Sequence, residues 1–218
     1  MHIRLFDGFD RDCLLPFVYL RPVADLMMGM MTFRDRWSLL VNADISVETA
    51  SYLQEKPIQS ADFCVLASCI PDTRFVEAVL SLKPNEKLMY NHQLLAYNGS
   101  LSYQDNGLKD YKTVELVDSA FKHVKFSWDL FRHNGFALRC DYELLSQLKS
   151  STQPSETNTY LGKGSLFIGQ NVNMEGVFLN TTSGPIYIDD GATVMEGSLL
   201  RGPLYIGKNS VVNMGTPP

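Results

Sequence analysis

The feature that most constrains this 218-residue chain is a repeat near its C-terminal end. Aligning Gly184–Leu200 (GPIYIDDGATVMEGSLL) with Gly202 onward (GPLYIGKNSVVNMG) gives a period of 18 residues, with Gly184/Gly202, Pro185/Pro203, Tyr187/Tyr205, Ile188/Ile206, Val194/Val212 and Gly197/Gly215 coinciding. Within it lies a step of six: Ile188, Val194, Leu200, Ile206 and Val212. Mostly small residues follow four positions after each, at Ala192, Ser198, Leu204, Ser210 and Thr216, and Pro185, Gly191, Gly197, Pro203, Asn209 and Gly215 keep the same step. An aliphatic residue every six, with Gly or Asn where the chain must turn through positive φ, describes a triangular β-solenoid: three short faces per coil around an apolar interior. A run of consecutive hexads argues against the alternative, an ordinary β-sandwich with Gly-rich turns. The pattern begins at Ile168–Asn173, and the 20 residues from Ile168 to Ile188 predict a two-residue insertion, a bulge near Phe178–Thr181.

The first 150 residues follow other rules. Met1–Phe6 and Phe63–Ala67 read as strands. Thr32–Leu40 reads as a helix, as does Val47–Gln54 behind a Ser46 cap, and Asp72 caps a third through Leu82. Lys87–Tyr90 and Gln93–Tyr97 flank Asn91-His92 as a hairpin. Trp128–Phe131 and Tyr142–Leu148 read as closing helices. Strand, crossover helix and strand predict a parallel α/β sheet with helices on both faces. The segment SSTQPSETNT, residues 150–159, reads as a linker, giving an α/β domain at 1–150, a linker at 151–160 and the start of a solenoid at 161–218.

A formal net charge of −5, from 19 Lys+Arg and 24 Asp+Glu, argues against nucleic acid as a partner. The N-terminus lacks a signal-peptide core, and no apolar run reaches the ~18–20 residues that span a bilayer, so a cytoplasmic location away from membranes is expected. Cys13, Cys64, Cys69 and Cys140 form no CxxC pair, and with His2, His92, His123 and His133 they make no zinc spacing, so reduced, mostly buried thiols are expected. The array stops at Pro218 without a cap for its last coil, which predicts a longer protein or cover by another chain.

An α/β domain followed by a hexapeptide solenoid resembles the architecture of bifunctional sugar-phosphate enzymes. LLPFVYLRPVADL (14–26) resembles the P-L-T-x-x-R-P-x-x-x-L segment of sugar-1-phosphate nucleotidyltransferases. GMMTFRDRW (29–37), WDLF (128–131) and IYIDDGATVMEGSLLRGP (186–203) resemble a subgroup related to N-acetylglucosamine-1-phosphate uridyltransferase. The resemblance implies a Rossmann-like nucleotidyltransferase sheet followed by a partial left-handed parallel β-helix that trimerises. It implies a nucleoside triphosphate and a sugar 1-phosphate as partners, giving a nucleotide sugar such as UDP-N-acetylglucosamine and pyrophosphate, with Mg²⁺ held by an Asp. Acetyl-transfer sites of related solenoids use a His on later coils; no His follows His133 here, so that activity would need a longer chain.

The sequence departs from that pattern where the phosphates should bind. The Gly-rich loop is reduced to LFDGFDRDCLLP (5–16), with Gly8 its one glycine and with Asp7, Asp10 and Asp12 adding negative charge. Arg11 stands where it can replace the family Arg, Val23 replaces a Lys, and Ser68-Cys69-Ile70-Pro71 puts Cys69 where the metal-binding Asp should be. The expected catalytic residues are Arg21 and Arg11; the nucleotide-binding residues are Asp7, Gly8, Pro16 and Arg21; the metal ligand is Asp7. Two readings stay open: a relocated metal site on Asp7, Asp10 or Asp12, or a domain that keeps nucleotide-sugar binding without catalysis, as a module on an acyltransferase trimer or a scaffold. Arg21 either faces phosphate or pairs with Asp25. The methionines 27, 28, 30 and 31 are expected to pack at a helix start, Trp37 and Trp128 in the core, and Asn180, Glu196 and Arg201 on the solenoid surface.

Overall fold

The computed structural model describes residues 1–54 and 56–215. The chain divides into two compact units, Met1–His133 and Asn134 onward.

In the first unit, β1 (His2–Phe6) is a buried strand whose Ile3 and Leu5 are fully enclosed. It pairs in parallel with β2 (Asp44–Glu48) on one side and β3 (Phe63–Leu66) on the other. The hairpin of β4 (Glu86–Tyr90) and β5 (Gln93–Tyr97) joins β3 antiparallel through β5. It turns through Asn91 and His92 at positive φ, as the sequence predicts. β6 (Lys112–Glu115) pairs in parallel with β4. The order is β2-β1-β3-β5-β4-β6, so the sheet is mixed rather than all parallel.

Helix α1 (Phe33–Val41) starts with a capping box, in which the Thr32 hydroxyl accepts from the Asp35 N–H at 3.0 Å and Asp35 reaches back to the Thr32 N–H. Helix α2 (Thr73–Leu80) is capped by Asp72, whose carboxylate accepts from Phe75 N–H at 2.9 Å. The third helix of the unit is the short α3 (Asp129–Arg132).

Three expectations fail here. Val47–Gln54 is not a helix: Asp44–Glu48 is an extended edge strand paired with β1. Its alternation of Ile45 and Val47 with polar residues suits a half-buried strand, and the Gln54 side chain closes the following turn on Thr49 N and Val47 O. The methionine run forms a short antiparallel pair, Met27–Met28 with Met31–Thr32, rather than a helix start. Trp37 is buried edge-on to Phe75 at 5.9 Å, but Trp128 is 56% exposed and stacks on Phe126 at 4.6 Å.

The second unit opens with helix α4 (Asn134–Leu145), eight residues ahead of the predicted start at Tyr142. Three parallel three-stranded sheets follow: Thr159–Leu161, Phe178–Asn180 and Leu199–Arg201; Leu166–Ile168, Ile186–Ile188 and Leu204–Ile206; and Asn173–Met174, Thr193–Val194 and Val211–Val212. This is the stacking of a three-faced coil. Ile168, Ile188, Val194, Leu200 and Ile206 fill its interior, each contributing about 1.5–3 kcal/mol of burial. Gly191 and Gly197 turn the corners at φ +71 and +74, as the hexad spacing requires. Thr216, the last small residue of the pattern, lies outside the described residues.

The insertion begins at the last residue of the range expected for it, after the strand Phe178–Asn180 rather than within it. Five residues separate Asn180 from Ile186, whereas two separate Arg201 from Leu204. Met174 to Phe178 is one residue shorter than Val194 to Leu199, so the coil is longer by two overall, three gained less one lost.

The Ser/Thr-rich stretch expected to be a linker is bonded to the first coil. Thr152 N–H donates to Ile168 O at 2.8 Å, the Asn158 side chain to Met174 O at 3.0 Å, and the Ser155 hydroxyl to Glu175 at 2.6 Å. Outside the prism, Tyr187 stacks on Phe167 at 4.2 Å and meets Tyr142 of α4 edge-on at 6.2 Å, so the helix covers this face. Among the described residues no helix is long and apolar enough to cross a membrane.

Candidate functional site

The loop after β1 is organised by Asp7. The chain turns at Gly8 with φ +78, where an added Cβ would lie 2.5 Å from the Leu66 side chain, so the position requires glycine. Asp7 is 2% exposed. Its Oδ1 accepts from Val23 N–H at 2.9 Å, and its Oδ2 accepts from Arg11 Nε at 3.0 Å and from the Thr49 hydroxyl. Burial pushes the Asp7 carboxyl above the ordinary range, and the bonds from Thr49, Val23 and Arg11 pull it back. One carboxylate thus ties together the start and end of the 8–23 loop and the end of the edge strand.

Arg11 is drawn into the same knot. Besides Asp7 it donates to Val18 O and, at 2.9 Å, to the Tyr52 hydroxyl, with its guanidinium 5.6 Å from the Tyr52 ring. The residue expected to replace the family Arg therefore faces inward and neutralises a residue of its own loop. Asp7, expected as a metal ligand, has both oxygens engaged by the chain. Between them, Leu14 and Val18 are buried anchors, while Pro16 sits on the exposed outer side of the loop.

Arg21 behaves differently. It is exposed and makes no hydrogen bond or ion pair among the described residues. The alternative pairing with Asp25 does not occur, because Asp25 receives Arg34 in a bidentate pair at 2.7 and 2.9 Å. Arg21, Arg34 and Lys56 line a cleft of about 700 Å³ that runs beside the edge strand, with Ser46, Thr49 and Gln54 on its wall. The cleft meets the carboxyl end of β2 at Thr49 rather than opening over the end of β1, where the Asp7 knot lies. Asp25 and Asp44 line the cleft too, so three cations face two carboxylates, and the feature that suits an anionic ligand is the Arg21 guanidinium.

Sequence reasoning missed a second knot beneath this edge. Arg4, fully buried, pairs with Glu48 at 3.1 Å and donates to the Tyr97 hydroxyl at 3.2 Å and to Leu101 O. Ser102 closes it by donating to Glu48. The available signal was Arg4 itself, a charge between Ile3 and Leu5 in an otherwise enclosed strand.

The residues at the expected metal position do not fit Mg²⁺. Cys69 lies in a two-residue strand paired antiparallel with Lys122–His123 and is fully buried. Burial pushes its thiol far up, so it stays protonated, and a neutral thiol is no ligand for a cation that takes oxygen. Asp10 is paired with Lys125 at 3.3 Å, and Asp12 is exposed beside Arg11 at 3.6 Å. Among the described residues no three His, Cys, Asp or Glu side chains are grouped to hold a metal ion. All four cysteines are free thiols, Cys64 and Cys69 buried, Cys140 partly so and Cys13 exposed.

A search of curated proteins gave no match to the chain. Comparison with protein families matches residues 3–150, more than half of the sequence, to the family described as sugar nucleotidyl transferases, and the chain belongs to that family.

Proposed function

We propose that the first unit acts on a nucleoside triphosphate and a sugar 1-phosphate, with the uridyltransferases for N-acetylglucosamine 1-phosphate as its relatives and an amino-sugar phosphate as its substrate. In this reaction a phosphate oxygen of the sugar forms a bond to the α-phosphorus, the bond from that phosphorus to the β-phosphate bridging oxygen breaks, and pyrophosphate leaves. The work asked of the protein is positioning and charge neutralisation. The observation that carries the reading is the unpartnered guanidinium of Arg21 at the head of a cleft it shares with Arg34 and Lys56, in a chain of this family. The other side chains position: Asp7 and Arg11 hold the loop so that Arg21 is presented, and Gly8 permits its turn. The test is release of pyrophosphate from UTP or dTTP with Mg²⁺ and a panel of hexose and hexosamine 1-phosphates.

A second reading, nucleotide-sugar binding without transfer, is favoured by one observation: Cys69 is a buried, protonated thiol at the position the family uses for its metal. A panel that gives no turnover while nucleotide raises the melting temperature decides for it; no turnover and no shift leaves a scaffold.

For the second unit the companion proposal is left-handed winding and assembly into a trimer, in the cytoplasm. Support for the assembly is an outward apolar column in which Phe178 and Leu199 are register partners, 43% and 48% exposed. Sedimentation of the Phe178→Asp/Leu199→Asp variant as a monomer, against a trimeric parent, is the expected result.

A further inference from the structure

The insertion that breaks the hexad register has built something. In the last coil two residues turn the corner between the first and second faces; in the coil before it five do, Thr181–Pro185. The longer corner stands off the prism and forms one side of a cleft of about 550 Å³, within the size range of small-molecule sites. The other side is one face of α4 and the turn that continues it. Arg139, Tyr142, Glu143, Ser146 and Gln147 follow the i, i+3, i+4, i+7, i+8 spacing and line the cleft together.

The cleft is set in shape. The Arg139 guanidinium donates to Gly135 O and to Ser183 O, both at 2.8 Å, and so clamps the corner to the helix. Thr181 N–H donates to Leu161 O at 2.9 Å, and the Thr181 hydroxyl accepts from Gly164 N–H at 3.0 Å, which seats the corner on the coil below. Thr182 is turned onto Asn180, its hydroxyl donating at 2.6 Å. What faces the opening is then the Glu143 carboxylate, the Gln147 amide and the hydroxyls of Ser146 and Ser183, none of which pairs with another described residue. The chemistry selects. The cleft's charged lining is one cation, Arg139, tied to two carbonyls, and one anion, Glu143, so it has no net positive charge to favour a phosphate. A carboxylate, an amide and several hydroxyls at close range match the alternating donors and acceptors of a sugar ring, with the Tyr142 side chain beside them as an apolar surface.

We propose that this cleft between α4 and the long corner binds a neutral carbohydrate of one or two rings. The proposal does not depend on nucleotidyl transfer, since no residue of the first unit takes part. The experiment uses the whole 24.5 kDa chain, labelled for amide NMR and titrated with N-acetylglucosamine, lactose, glycerol and inorganic phosphate. The expected result is saturable shifts of the Thr182, Ser183 and Gly184 amides with at least one of the two sugars, and none with glycerol or phosphate. In Glu143→Ala/Gln147→Ala, whose side chains are exposed and make no hydrogen bond or ion pair among the described residues, the rest of the spectrum stays unchanged and sugar affinity falls about tenfold, or about 1.4 kcal/mol. No saturable shift with either sugar, equal affinity in the double variant, or the same amides responding to glycerol or phosphate would each overturn the proposal.

Discussion

Replacing Asp7 with Ala tests whether the knot at the end of β1 is a structural hub or an idle metal site. The substitution removes one buried acceptor group and leaves three donors behind. Val23 N–H and the Thr49 hydroxyl lose their recorded partner, at about 1–3 kcal/mol each. Removing one member of a buried ion pair costs about 3–5 kcal/mol when the other is fully enclosed. The Arg11 side chain is 11% exposed and keeps Val18 O and Tyr52, so its share lies toward the low end. The terms overlap, and about 3–5 kcal/mol in total is expected for Asp7→Ala. About 2–3 is expected for Asp7→Asn, which keeps an acceptor but turns an NH₂ toward a donor.

Both tryptophans, Trp37 and Trp128, lie in the first unit, so their fluorescence during urea unfolding reports that unit alone. With an m-value of about 2 kcal/mol/M, Asp7→Ala moves the midpoint down by about 2 M. The double variant Asp7→Ala/Arg11→Met is expected to be more stable than the sum of the single changes, because the stranded guanidinium is gone. A metal-ligand role predicts the opposite: removing an anion from an unfilled site leaves the midpoint unchanged or raises it. A midpoint within about 0.3 M of the parent for Asp7→Ala refutes the hub.

Other consequences are simpler to state. Arg21→Ala removes a surface guanidinium unpartnered among the described residues, so nucleotide affinity measured by calorimetry falls about tenfold while the melting temperature holds; unchanged affinity together with unchanged turnover takes Arg21 out of the site. Asp72→Ala costs about 1–2 kcal/mol, because its carboxylate accepts from Phe75 N–H and Ser119 at one oxygen and from Ala120 N–H at the other. Partial burial pushes that carboxyl up, but these bonds outweigh it and hold it below its ordinary value; the stabilisation is therefore full above about pH 4 and fades as pH falls through the lowered value, so parent and variant converge in acid unfolding curves. Ile188→Ala, inside the prism, costs about 2–4 kcal/mol, whereas Val211→Ala on the outside costs less than about 0.5, read as loss of amide-exchange protection in Ile186–Ile188. Cys69→Asp puts an unpaired carboxyl into an enclosed site and destabilises the first unit by several kcal/mol without creating Mg²⁺ affinity, where Cys69→Ala does not unfold it; a stable, Mg²⁺-binding Cys69→Asp would show that the fit argument is wrong.

The solenoid was legible because its interior residues obey one short period and each coil repeats the last, so a single chain contains its own alignment. Even the break in period was visible. Its make-up was not, because a net gain of two residues hides a gain of three at one corner and a loss of one at the preceding one. The edge strand Asp44–Glu48 was misread because Ser46, taken as a helix cap, is itself one of the polar positions of the strand. In a five-residue edge strand the alternation is too brief to outvote a capping signal. The Asp7 knot lay beyond sequence reasoning for another reason. Its donors stand 4, 16 and 42 residues away, and one is a backbone N–H that no side-chain pattern marks. The same holds for Arg4 and Glu48, which meet only because β1 and β2 pair in parallel.

These two knots bear on what the family's chemistry becomes in this chain. A phosphate-binding loop works when donors converge on a space that the ligand's charge then fills. Here a guanidinium, a backbone N–H and a hydroxyl do converge, but on Asp7, an anion that the chain supplies itself. The loop is thereby tied to the edge strand by the chain's own groups. The free positive charge has moved to Arg21 at the loop's far end, beside a cleft whose wall is the edge strand. On the proposed function, a nucleotide would take its phosphate contacts along that strand, where Arg34 is already paired with Asp25. Whether such a geometry transfers a nucleotidyl group or only holds one depends on how well Arg21 and Lys56 offset the charge that accumulates on departing pyrophosphate. Single substitutions at those two residues distinguish the cases: loss of turnover with binding retained assigns them to the departing group, and parallel loss of both assigns them to the ground-state complex.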